Sequence, residues 1–193
     1  MVTEHCEPRH RRQSEVLFPA LESLLKAHGS TWQDIASLGV CTGPGFFNGI
    51  RVAIAAARGL ALSLKIPAVG VDRFAALSMD IPGPTLAILT MPDGQPLCRM
   101  TNETDAFFAT PATIKDHCPV RCTVVGHDAT AYAAEIQGRA AAALYKTSTA
   151  AALAAHRRLG QASPRPVPYY VNPPRVDPRA RRFAQPAHIK KAI

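Results

Sequence analysis

The sequence predicts an α/β protein, because strand and helix signals alternate along its first half. Residues 38–71 have the pattern of a strand, a glycine-rich loop, an Ala-rich helix and a second strand. Residues 86–101 have the pattern of a β-hairpin, since Pro-Asp-Gly turn residues separate two apolar runs. An amphipathic helix is predicted before these elements, and two Ala-rich helices are predicted after them.

The chain is expected to divide into two lobes and a tail. The Ile-Pro-Gly-Pro sequence at residues 81–84 can continue neither a helix nor a strand, and it separates two stretches of different character. We therefore expect a first lobe over residues 1–82, a second, smaller lobe over 83–160, and a basic, Pro-rich tail over 161–193. The tail has seven prolines and is expected to pack only partly on the lobes, because its composition cannot build a core.

The first predicted helix covers residues 14–28. Ser14 can cap its start and Gly29 can stop it. Pro19 falls in the first turns, where a missing backbone amide is tolerated. The apolar positions recur at helical spacing and exceed one buried stripe; they are Leu17, Leu21, Leu24, Leu25 and His28.

The glycine-rich unit begins with a short buried strand over Leu38–Thr42. An Ala-rich helix over Ile50–Lys65 follows the loop and ends at Ile66-Pro67, before a buried parallel strand over Ala68–Val71. Within the loop, Asn48 is a good helix N-cap. The residues of the loop are Gly43, Pro44, Gly45, Phe46, Phe47, Asn48 and Gly49.

The second half is predicted to contain three strands, two helices and an extended segment. The strands are Leu86–Met91, Leu97–Thr101 and Cys122–Gly126, and the helices are Ala129–Gly138 and Thr149–Leu159. The extended segment, Val167–Val171, could add one strand or pack across a lobe.

Composition excludes a wholly disordered chain, because 47% of the 193 residues are hydrophobic and only 19% are charged. The longest apolar run, Val52–Leu64, contains Arg58 and is shorter than the roughly 20 residues that a bilayer span needs. No membrane partner is therefore expected. Residues 1–12 have no apolar stretch typical of a secretory signal, so we expect a cytoplasmic protein. The five cysteines favour reduced thiols over a disulfide framework.

The positive charge is concentrated in the tail. Residues 161–193 hold seven Lys and Arg residues against the single acid Asp177, and so carry +6 of the formal charge of +8. These side chains could contact nucleic-acid phosphates in a salt-dependent way, or they could belong to a solvated basic tail.

No catalytic residue and no metal ligand is predicted. His117, Cys118, Cys122 and His127 are residue types found in zinc sites, but their spacing matches no known zinc finger. No motif such as GxSxG surrounds a candidate nucleophile.

The middle of the sequence resembles the bacterial TsaB (YeaZ) family. A Gly-Pro-Gly loop followed by Gly-Ile-Arg, an Ala-rich helix and an Ile-Pro-x-x-Gly-Val strand is a specific combination. The resemblance covers residues 12–78 well and 165–175 weakly. The segments that carry it are Gly43–Arg51, Ala55–Ala61, Ile66–Val71, Ser14–Pro19 and Pro168–Val171.

The resemblance implies an actin-like fold, of the ASKHA type with duplicated RNase H-like lobes. It also implies a role in making threonylcarbamoyladenosine, the modified nucleoside next to the anticodon of many tRNAs. In that system a TsaD transferase performs the transfer, a TsaB-like subunit binds and activates it, and a TsaE ATPase joins the complex. The sequence has no HxxxH pair, which agrees with a non-catalytic subunit that has no cofactor of its own and leaves ATP and metal to its partners.

Two of the places where the sequence departs from the family are its N-terminus and the glycine loop. Family members begin with a strand hairpin that is missing here. Either the recorded start is late or the chain is a truncated relative, and we expect a first lobe truncated at its N-terminus. Phe46-Phe47-Asn48 also replaces the usual Ser-Phe-Thr, which removes two hydroxyl groups from the loop.

The resemblance places the contact with the transferase on the two helices of the first lobe. Arg51 and Arg58 lie seven residues apart on one face, and they could pair with partner acids or with Asp34 or Asp72. The predicted partner-binding residues are Glu15, Leu17, Leu21, Leu24, Leu25, Arg51, Ile54, Ala55 and Arg58.

The glycine loop has two interpretations. Its backbone amides could approach a phosphate at the N-terminus of the helix, or the loop could be a tight turn that packs the helix on its strand. We favour the turn, because the loop has no Walker lysine. The possible nucleotide-binding residues are Gly43, Pro44, Gly45, Asn48 and Gly49.

The leading hypothesis is a non-catalytic partner of a TsaD-like transferase and a TsaE-like ATPase. Such a subunit is expected to dimerise when alone and to meet tRNA only indirectly, or through the basic tail. Two alternatives stay open: a stand-alone nucleotide-binding enzyme of the actin-like superfamily, and a truncated relative that merely self-associates through the same helices.

Overall fold

The computed structural model describes residues 13–118 and 121–171. Two single turns of 3₁₀ helix, Trp32–Asp34 and Ile114–Asp116, lie in the connections. The helices are α1 (Gln13–Ala27), α2 (Phe47–Leu64), α3 (Arg73–Ser78), α4 (Ala129–Glu135) and α5 (Thr147–Arg157). The strands are β1 (Leu38–Cys41), β2 (Ala68–Val71), β3 (Thr85–Thr90), β4 (Pro96–Met100), β5 (Phe107–Phe108), β6 (Thr123–Gly126) and β7 (Arg139–Ala141).

The first lobe is built on strands β1 and β2, which pair in parallel with Leu38 opposite Ala68. One face of this pair is covered by α2, where Val40 packs with three buried side chains of the helix. The other face is covered by α5, where Val69 and Val71 pack with three alanines of that helix. Gly39 is required on this face, because a Cβ there would collide with the backbone carbonyl of Ala151.

The second lobe is a five-stranded sheet in the order β5-β4-β3-β6-β7. Strand β3 is central, antiparallel to β4 and parallel to β6. One face of the sheet packs on Phe74 of α3 and the other on Tyr132 of α4. The Tyr132 hydroxyl donates to the carbonyl of Ala109 at 2.7 Å, which satisfies the buried phenol.

The two lobes are joined by a network around Arg99 of β4. Its Nη2 lies 2.7 Å from an oxygen of Asp72, and the same carboxylate accepts the Ala75 amide at the start of α3. The guanidinium lies over the Phe74 ring, 4.7 Å from its centroid. One side chain therefore ties the sheet of the second lobe to the end of β2.

Helix α5 returns the chain to the first lobe. It lies within residues 83–160, the range predicted for the second lobe, but it packs on β1 and β2. The described part of the tail continues along the same lobe: the Tyr169 amide donates to Thr42 at 2.8 Å, and Tyr170 stacks on Phe47 at 4.7 Å. Residues 172–193, with most of the predicted basic tail, lie outside the described residues.

Two details of the predicted elements were wrong. Helix α2 begins at Phe47, so its N-cap is Phe46, without a side-chain cap bond, and Asn48 lies inside the first turn. The short strands β5 and β7 were not predicted. Residues 167–171 form no strand but pack on the core side chains of both lobes, which is the second of the two predicted alternatives.

Candidate functional site

Helix α1 lies on the surface of the first lobe. None of its side chains from Ser14 to Ala27 is fully buried. Glu15 is exposed, and four leucines are half-buried: Leu17, Leu21, Leu24 and Leu25. A helix this apolar with no fully buried residue in that range leaves apolar surface that a partner can cover.

Helix α2 separates its residues into an inner and an outer row. The inner row, Ile50, Ile54 and Ala57, is buried against β1. The outer row, at helical spacing, is exposed and consists of Arg51, Ala55, Arg58 and Leu62. Leu62, in the last turn of α2, is 80% exposed.

These positions define a docking face, by which we mean the four leucines of α1 together with the outer row of α2. The structure corrects one predicted member: Ile54 is only 4% exposed and belongs to the core. Sequence reasoning left Leu62 out of the partner-binding set, although it follows Arg58 by one helical turn on the same side. Glu15 lies at the start of α1, next to this face in sequence.

Helix α2 is also, by length and composition, apolar enough to cross a membrane, and few of its residues are buried in the fold. One such helix is weak evidence for a membrane span. A long, apolar and poorly buried helix is equally expected where a partner protein covers it.

Of the two arginines of the docking face, Arg51 contacts an aromatic ring. It lies over the Phe47 ring, 4.1 Å from the centroid, which holds it at the N-terminal end of α2. The intramolecular acids considered for these arginines are used elsewhere, since Asp34 accepts from Thr31 and Asp72 pairs with Arg99.

The glycine loop is a buried turn whose carbonyls are occupied. Thr42, Gly43 and Pro44 are buried, and the Gly43–Pro44 peptide bond is cis. Arg73 binds the loop twice: its amide donates to Gly43 at 2.7 Å and its Nη1 donates to Pro44 at 3.1 Å. Gly43 has φ +109°, and a Cβ there would lie 2.8 Å from both Ile50 and the Tyr169 carbonyl.

This geometry supports the interpretation of the loop as a packing turn between β1 and α2. Its other predicted residues lie towards the helix, with Gly45 and Gly49 half-buried and Asn48 exposed. A Cβ on Gly45 would meet nothing closer than the Arg73 side chain at 3.8 Å. Steric crowding therefore does not require a glycine at position 45.

The histidines and cysteines considered for zinc do not converge. Cys118 and Cys122 face each other with 3.3 Å between their sulfurs, inside the core of the second lobe. His117 stacks on Phe107 instead, and His127 is exposed after β6. Among residues 13–118 and 121–171 no three potential ligands are grouped for a metal ion.

The contact between the two thiols shifts their pKa values in opposite directions. The Cys118 hydrogen bond lowers the pKa of Cys122, and the same contact raises the pKa of Cys118 together with burial. Burial raises the pKa of the neighbouring Cys98 to about 12. All three thiols belong to the buried core of the second lobe.

Comparison with solved structures identifies proteins of similar fold. A Pseudomonas aeruginosa protein described as similar to peptidase YeaZ has a TM-score of 0.63 at 19% identity, covering 87% of this chain and 88% of that one. YeaZ from the same organism has a TM-score of 0.57 at 20% identity, covering 83% and 85%. With the sheet order described above, these matches show the fold, which is an α/β fold of the actin-like type.

Comparison with protein sequences identifies named relatives of this chain. The chain is 35% identical over 71 residues to the Escherichia coli protein named tRNA threonylcarbamoyladenosine biosynthesis protein TsaB, and 32% identical over 77 residues to that of Buchnera aphidicola. These segments are 37% and 40% of this chain. The resemblance to the TsaB (YeaZ) family is therefore confirmed.

The sequence matches also include the transferase. Residues 6–89 match the family model of TsaD, tRNA N6-adenosine threonylcarbamoyltransferase. A protein of that name from Solidesulfovibrio magneticus is 33% identical over 95 residues, or 46% of this chain. The matched segments span only 31%, 25% and 35% of the lengths of the E. coli, S. magneticus and B. aphidicola relatives.

Proposed function

We propose that this chain is a non-catalytic partner subunit of a TsaD-type transferase in the threonylcarbamoyl modification of tRNA. The names of its relatives support the pathway, and the similarity to both TsaB and TsaD supports a contact between two proteins of related fold. The observation that carries the proposal is the docking face, where an 18-residue apolar helix buries only three residues.

The docking face suits a helical partner. Along its outer row, α2 presents Arg51, Ala55, Arg58 and Leu62 in that order, so a partner helix would meet apolar side chains that alternate with positive charge. Burying the exposed leucine is worth about 1.5–3 kcal/mol, which would offset part of the cost of association. Small residues such as Ala55 and Gly59 let two helix backbones approach closely.

The same proposal includes further partners. A TsaE-like ATPase would join the complex, and ATP and metal would be handled by the partner subunits. Alone, the chain would form a homodimer through the docking face. tRNA would be met indirectly or by basic residues of the tail, of which Arg165 is described and exposed.

A co-purification experiment with the TsaD-type protein of the same source tests the proposal. We expect a stoichiometric complex with the natural chain. Ala55→Glu should weaken it at least about a hundredfold, because a longer, charged side chain would keep the two helix backbones apart and would have to be desolvated in the contact. Ala134→Glu is the matched control, since Ala134 is an exposed alanine on helix α4 of the other lobe.

Sizing of each chain alone completes the experiment. A chain that self-associates through the docking face but does not bind the transferase would be a self-associating relative, which contradicts the proposed subunit role. Equal binding by Ala55→Glu and Ala134→Glu would place the contact elsewhere.

A further inference from the structure

A cavity of about 460 Å³ lies beside the C-terminal half of α2. Its walls come from three segments: α2, the connection into β2, and the tail segment 163–166. This volume lies within the range of pockets that hold small molecules. The glycine loop contributes no residue to it, so it is separate from the nucleotide position considered from the sequence.

The cavity combines positive charge with apolar surface. Arg58 and Arg165 line it, and none of the residues that line it is acidic. Neither guanidinium makes an ion pair or side-chain hydrogen bond within the described parts of the chain. Apolar walls are provided by Leu62, Ile66 and Pro166, of which Leu62 is the most exposed.

The dipole of α2 opposes an anion at this end of the helix, but weakly. The carbonyl of Ala61 already accepts the amides of Lys65 and Ile66 in a C-cap whose Lys65 is left-handed. Two unpaired arginines on the cavity wall outweigh the residual partial charge of the helix end.

We propose that this cavity binds a small organic anion, with a phosphate or carboxylate group held by Arg58 and Arg165 and an apolar body held against Leu62 and Pro166. Arginine binds both oxyanions through paired N–H donors. The geometry therefore does not distinguish phosphate from carboxylate, and a titration identifies which of the two the cavity prefers.

Calorimetric titration of the full chain with phenyl phosphate, benzoate and inorganic phosphate tests this proposal. We expect one site, with phenyl phosphate or benzoate binding at least about tenfold more tightly than inorganic phosphate. The stronger of the two organic probes identifies the head group. Failure of both to bind at millimolar concentration, or equal binding of inorganic phosphate, overturns the proposal.

Two pairs of variants locate the site. Arg165→Gln should lower the affinity about tenfold, whereas Arg139→Gln, at an exposed arginine of the second lobe, should not. Gly59→Leu fills the cavity and should abolish binding, whereas Gly59→Ala should largely keep it. A Cβ on Gly59 meets no atom within 4 Å, and both variants improve helix propensity, so misfolding would not explain the loss.

Affinity that is unchanged in both Arg165→Gln and Gly59→Leu would overturn the assignment to this cavity. The inference does not rest on the proposed subunit role, because the titration uses the chain without any partner. Failure here would leave the co-purification result untouched.

Discussion

Helix α2 and strand β3 are both apolar, but the fold uses them in opposite ways. Five of the six residues of β3 are buried, because α3 and α4 cover the two faces of its sheet. Only three of the 18 residues of α2 are buried, because its outer row has no cover within the described chain. Apolar sequence thus makes a closed core in the second lobe and an open surface in the first.

The largest expected effect separates these two uses of an apolar side chain. Ile88→Ala in β3 should lower the free energy of unfolding by about 2–5 kcal/mol, because Ile88 is 1% exposed and its loss leaves a cavity. Leu62→Ala in α2 should change it by less than about 0.5 kcal/mol. Urea unfolding measures both, and similar losses would mean that the outer row of α2 is already covered.

A smaller effect is expected from the polar group in the closed face. Tyr132→Phe removes the hydroxyl that donates to Ala109 and leaves that carbonyl without this donor. Stability should fall by about 1–3 kcal/mol with no change in binding to a partner. A variant as stable as the natural chain would show that the bond is not formed, and urea unfolding again supplies the measurement.

The smallest effect concerns a surface contact that fixes α5 on the first lobe. Nη1 and Nη2 of Arg157 donate to the two carboxylate oxygens of Asp80, at 2.8 and 2.6 Å, and lower the pKa of Asp80. A lowered folded-state pKa contributes stability above the unfolded value of about 4, and this is lost as the pH falls through the folded pKa.

Thermal unfolding of Asp80→Asn at several pH values measures this contact. Asn suits the site, because Asp80 has φ +60° and Asn tolerates the left-handed region. The natural chain should melt slightly above the variant at neutral pH, and the difference should vanish well below pH 4. A difference that persists in acid would require another cause.

The elements with local signals were predicted well. The β3–β4 hairpin and the β1–loop–α2–β2 unit follow from turn chemistry and apolar runs that lie within a few residues of one another. The short strands β5 and β7 have no such signal, because two or three residues cannot show a period. They become strands only by pairing with β4 and β6.

The two helices of the candidate site were predicted, but not which of their side chains are exposed. An Ala-rich helix has apolar residues on all sides, so its sequence does not show which row faces the core. Ile54 and Ala55 are neighbours in sequence, yet one is buried and the other exposed. The sequence also could not predict that α5 packs on the first lobe. This packing depends on the contact of Gly39 with Ala151, and the two lie more than a hundred residues apart in the sequence.

The central claim is that the docking face of α1 and α2 is covered by a TsaD-type transferase. Hydrogen exchange of the chain, alone and with that protein of the same source, tests this most directly. The account predicts slower exchange in residues 13–27 and 47–64, with little change in the strands of the second lobe. Protection confined to residues 85–141, with both helices unchanged, would contradict it.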